Sequence, residues 1–102
     1  MSILDETGFE LFLIEDEGID SKSKAVASRM SRARAVEKEF DMSLDSIVQS
    51  EVTMYNTLVG INRKMANGSG AYSNALRKYY IFKNNCVFPK LDHFERDNRH
   101  LI

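Results

Sequence analysis

Between residues 21 and 40 apolar side chains recur at helical spacing for longer than anywhere else in the chain, and that period sets the fold class. Val26, Met30, Ala33, Val36 or Glu37, and Phe40 fall on one stripe, with Ser21 or Ser23 as the N-cap. Lys24, Arg34 and Lys38 cluster opposite the stripe, whereas Arg29 and Arg32 fall on its border. The same period recurs elsewhere. Phe9, Phe12 and Leu13 follow Thr7-Gly8-Phe9-Glu10, a capping-box spacing, and Gly18-Ile19 suits a left-handed stop. Alternation of Phe9, Leu11 and Leu13 is also compatible with a strand, but stop and start signals at both ends favour a helix.

Further along, Ser43 is the candidate cap of a short helix carrying Leu44, Ile47 and Val48, followed by a helix from Ser50 or Glu51 to about Ala66. Gly60 inside this helix costs about 1 kcal/mol relative to Ala and implies a bend or a close helix crossing. After the break at Asn67-Gly68-Ser69-Gly70, a helix over 71–83 turns Tyr72, Ala75, Leu76, Tyr79 and Phe82 inward, with Asn74, Arg77, Lys78 and Ile81 outward. Asn84-Asn85 ends it. Leu91, Phe94 and Leu101 then define a narrow apolar face on a tail that is either a short docking helix or partly disordered.

The expected fold is therefore all-α: a compact four- to five-helix bundle forming a single domain over 1–102, with its core in 9–84 and a C-terminal docking segment in 86–102. Composition agrees, with 43% apolar residues, 28% charged residues, five Gly and one Pro. A chain of this length buries only about two thirds of its unfolded surface, which leaves no room for a two-domain enzyme. No apolar run approaches the ~18 residues of a membrane span. Residues 1–20 lack the pattern of a secretory signal, and the lone Cys86 cannot form an internal disulfide, so the expected location is cytoplasmic.

Charge divides the chain unevenly. Residues 1–20 hold seven acids and no base, while the remaining 82 hold all 14 bases and eight acids, so the net charge of −1 averages two unlike pieces. The basic set comprises Lys22, Lys24, Arg29, Arg32, Arg34 and Lys38, then Arg77, Lys78 and Lys83. Such side chains neutralise phosphates of duplex DNA and release counterions, although helices also devote them to plain solvated faces. Arg29 has a structural alternative, an ion pair with Glu37 or an N-terminal acid. The acids of the first helix, including Glu10, Glu15, Asp16 and Glu17, either lie across the basic helices or face a basic protein partner.

Catalytic chemistry has little support. His93, Asp97 and His100 share one face of a helical tail, but without a fourth ligand at diagnostic spacing they read as surface residues rather than a zinc site. Asn67-Gly68-Ser69-Gly70 lacks the Lys and the preceding strand of a phosphate loop. Cys86 has no activating neighbour in sequence. The reading is a non-enzymatic chain with neither cofactor nor metal.

Phe12-Leu13 with Gly18-Ile19-Asp20-Ser21, then Ser31-Arg32-Ala33-Arg34-Ala35-Val36-Glu37 followed by Met42-Ser43-Leu44-Asp45, then the stretch from Tyr72 to Phe82 with its Ala75-Leu76-Arg77 core before Tyr79-Tyr80, stand in a distinctive helix order. In these patterns the chain resembles the N-terminal core-binding domain of tyrosine recombinases and phage integrases. The likeness covers about residues 9–84. The resemblance implies a helical bundle that clasps one side of duplex DNA through backbone contacts. The family's catalytic domain has no room here, so no tyrosine of this chain is a recombinase nucleophile.

Two functions follow as expectations. The first is a DNA-associated accessory module of a mobile element or phage-like locus, using Lys24, Arg29, Arg32, Arg34, Lys38, Arg77, Lys78 and Lys83. The second is a protein-interaction or inhibitory module that binds a recombinase or other DNA-processing enzyme. Its surface would comprise Glu10, Glu15, Asp16 and Glu17 of the first helix, with Tyr80, Ile81, Leu91 and Phe94. Homodimerisation would serve either.

Overall fold

The computed structural model describes residues 6–17, 24–65, 68 and 70–99. Among these residues there are six helices: α1 (Glu6–Glu17), α2 (Lys24–Phe40), α3 (Leu44–Gln49), α4 (Glu51–Lys64), α5 (Ala71–Asn84) and α6 (Leu91–Asp97). Among the described residues there is no strand. The all-helical expectation holds: five helices stand where the sequence set them, and α6 is the short docking helix that was one alternative for the tail.

Local chemistry explains most boundaries. Ser43 and Ser50 both have extended backbones, and their hydroxyls accept the Ser46 and Thr53 amides at 3.2 and 3.3 Å; Ser43 caps α3 as the sequence foretold, and Ser50, one of two foreseen starts of α4, is its cap. Asp41 takes a left-handed φ of 51° just past α2, and the Met42 amide returns to the Glu37 carbonyl at 3.3 Å, which closes the helix end. Gly70 precedes α5 with φ 76°, a conformation that glycine adopts without a Cβ penalty. Asn85 terminates α5 in the same left-handed region. The capping box at Thr7 does not form: α1 begins at Glu6, so Thr7 already lies within the first turn. The proposed stop at Gly18-Ile19 and the caps at Ser21 and Ser23 lie outside the described residues.

Helix α5 is the hub, packing against α1, α2, α3 and α4. Phe9 and Leu13, one turn apart, are fully buried. The Phe9 ring meets Tyr79 edge-on at 4.9 Å and Phe82 at 5.8 Å, which fixes α1 onto α5. Each such ring taken out of water is worth about 1.5–3 kcal/mol. Val26, Met30, Ala33 and Val36 supply α2's buried stripe, and Leu44, Ile47, Leu58, Ile61 and Leu76 complete the centre.

A second aromatic cluster holds the C-terminal segment. Phe94 stacks on Tyr55 of α4 at 5.1 Å and contacts Phe88 at 5.3 Å, while Phe88 meets Tyr80 of α5 edge-on at 5.1 Å. Residues 91–97 thus form a docking helix, one of the two alternatives for the tail; Leu101, the third residue of its foreseen face, lies outside the described residues. Phe88, 1% exposed, is a core residue with no part in the helical periodicity. Its signal is a different one: the residue before a proline is driven to extended backbone, which can aim an aromatic inward ahead of a following helix.

Candidate functional site

Helix α2 buries one face, and its first half carries the short side chains Ala27, Ser28 and Ser31 on the outer side. Ala27, Ser28, Ser31 and Arg32 line a shallow concavity of about 360 Å³, completed by Tyr72 at the start of α5. Arg32 is exposed, as is Lys38 nearer the end of the helix. Among the described residues the lining carries a guanidinium and hydroxyls and no carboxylate. Such a surface suits an anion held by charge and hydrogen-bond donors, the chemistry of a phosphodiester contact.

The fold treats the other foreseen basic residues differently. Arg34 pairs with Glu6 of α1, so an acid of the first helix does lie on a base of the second. Arg77 was expected to face outward. Instead its guanidinium donates to the Phe88 and Pro89 carbonyls at 2.9 and 3.2 Å and lies over the Phe88 ring. Burial lowers its proton affinity, although arginine remains charged at any physiological pH. Lys83 stands 3.6 Å from the Asp45 carboxylate and over the Phe82 ring at 5.2 Å. Arg29 and Lys78 are half-buried and each has an interaction partner. The Lys24 side chain lies outside the described residues.

Among the foreseen protein-contact residues, Glu10 and Glu15 are exposed, and the Asp16 and Glu17 side chains lie outside the described residues. Tyr80 and Phe94 must be withdrawn from that surface: they are 7% and 1% exposed, because both form the aromatic cluster beneath the C-terminal segment. Burial, with Cys86 nearby, raises the Tyr80 phenol above its ordinary range. Ile81 and Leu91 are half-buried. Leu11, not foreseen as a contact residue, is 60% exposed on α1. On α6, His93 and Asp97 are exposed and His100 lies outside the described residues.

Three polar arrangements escaped sequence reasoning. Tyr79 donates to Asp45 at the start of α3, beside Lys83 one turn on. Tyr55 donates to Glu95, and that bond holds its phenol above the usual value. Glu37, already a candidate for the inner stripe, gives its Oε2 to the Leu44 amide at 2.9 Å. The first two join residues 34 and 40 positions apart, a separation that helical periodicity does not address.

No protein-family model matches the chain, and neither does any curated protein or solved structure.

Proposed function

We propose that this chain is a non-catalytic DNA-associated module, of the kind the integrase core-binding resemblance implies, and that it meets the duplex backbone with the outer face of α2. One observation carries the reading: among the described residues, the concavity lined by Ala27, Ser28, Ser31, Arg32 and Tyr72 presents donors and a cation without a carboxylate. Short side chains let a phosphate approach the helix while Arg32 and the serine hydroxyls bond to it, and the exposed Lys38 adds a second charge. The contact is small. Neutralising two phosphates gives a slope of log affinity against log salt of about −2. Such a module works beside a larger DNA-processing enzyme or as a homodimer that doubles the face, within a mobile element or phage-like locus.

The test is duplex titration by fluorescence anisotropy at low salt, with Arg32→Glu and Lys38→Glu combined in one variant. Wild-type binding that collapses in this variant supports the assignment. Absence of wild-type binding at low salt, or binding indifferent to both substitutions, refutes it.

A second reading rests on α1. Its outer surface sets Leu11, 60% exposed, between the exposed Glu10 and Glu15. An apolar residue flanked by acids suits a protein partner with a basic rim around an apolar pocket. Under that reading Leu11→Ser abolishes partner capture and leaves duplex binding intact.

A further inference from the structure

Glu37 lies three residues before the end of α2 and is 0% exposed. Its Oε2 accepts the Leu44 N–H at 2.9 Å, tying α2 to the first residue of α3. Its Oε1 is buried with no hydrogen-bond partner among the described residues. An ionised carboxylate with one unsatisfied oxygen is a costly thing to bury, because no second donor replaces the lost solvation.

Among the described residues, the charged groups around it do not cancel that cost. Asp45 on α3 opposes ionisation of Glu37 by like charge, whereas Arg34 on α2 favours it. Arg34 is shared with Glu6 of α1. From α5, Tyr79 and Lys83 both address Asp45. Burial outweighs the remaining influences, so the Glu37 carboxyl is held above the ordinary glutamate range.

We propose that Glu37 is a proton-binding site that tightens the α2–α3 corner in mildly acidic solution. A proton on Oε1 leaves Oε2 able to accept the Leu44 amide and removes the buried, half-satisfied charge. The folded carboxyl holds its proton to a higher pH than the unfolded chain does. Its contribution to stability is therefore complete below the unfolded value of about 4.3, and is lost as pH rises through the folded value.

Carboxyl-carbon NMR of the full chain labelled at glutamate measures the site directly. The Glu37 resonance should titrate with a midpoint above about 4.3. Urea unfolding from about pH 4 to about pH 8 provides a second readout against Glu37→Gln, which keeps a carbonyl acceptor for Leu44 but cannot ionise. The wild-type midpoint should fall relative to the variant's as pH rises. A Glu37 titration at or below the ordinary value, or parallel stability curves for the two proteins, overturns the proposal. Should the variant not fold, the NMR titration of the unaltered chain decides alone.

Discussion

Replacing Gly60 by Ala should destabilise this protein, although in an ordinary helix interior the same change stabilises by about 1 kcal/mol. The reason is the Phe40 ring. A Cβ built on Gly60 would stand 2.6 Å from Phe40 Cε1 and 2.9 Å from Cζ. Carbon atoms rest about 3.5–4.0 Å apart, so the ring must withdraw by roughly 1 Å. It is the last residue of α2, half-buried, with the Lys64 ammonium 5.7 Å from its centroid. Overpacking of this kind costs about 1–3 kcal/mol. Set against the helix-propensity gain, the net expectation is a loss of about 1 kcal/mol, or a fall in Tm of about 4–8 °C for a domain of this size.

A double-mutant cycle with Phe40→Ala, read by urea unfolding, isolates the cause. Without the ring, Gly60→Ala should change sign and stabilise by about 1 kcal/mol, which gives a coupling of about 2 kcal/mol. Equal stabilisation in both backgrounds would refute the reasoning, because it would mean that the ring does not rest on Gly60.

Arg77→Met should cost about 1.5–3 kcal/mol by removing charged hydrogen bonds to the Phe88 and Pro89 carbonyls, while leaving the salt dependence of duplex binding unchanged. A loss of duplex affinity in a well-folded variant would return Arg77 to the nucleic-acid face. Phe94→Ala empties the space between Tyr55 and Phe88 and should cost about 3 kcal/mol or more. Amide exchange should show the 88–97 segment losing protection before α2 and α5 do; uniform loss across the chain would show that this segment unfolds only with the core.

Helices and their ends were legible in the sequence because their causes are local. Ser43 and Ser50 cap through amides three residues away, and Val26, Met30, Ala33 and Val36 recur with the helical turn. Gly60 pointed to a bend or a close helix crossing, but the partner, Phe40, lies twenty positions earlier and only packing could supply it. Phe88 was missed for the opposite reason. It is a core residue outside any helix, and periodicity is silent there.

The functional surface divides along the same line. A helical wheel places Arg32, Arg34, Lys38 and Arg77 on polar or border positions alike, since spacing alone determines which residues can share a face. Whether a charge on that face meets water or another part of the chain depends on what packs beside it. Tertiary structure set Glu6 on Arg34 and two carbonyls on Arg77, and left Arg32 and Lys38 exposed. It also settled that Glu37, one of two candidates for the inner stripe, is enclosed, while Lys38 stays in solvent where the helical wheel placed it. One residue along a helix is a rotation of about 100°, enough to carry a side chain from the core to the surface. The net charge and the helical period belong to the sequence; the set of charges available to a partner belongs to the fold.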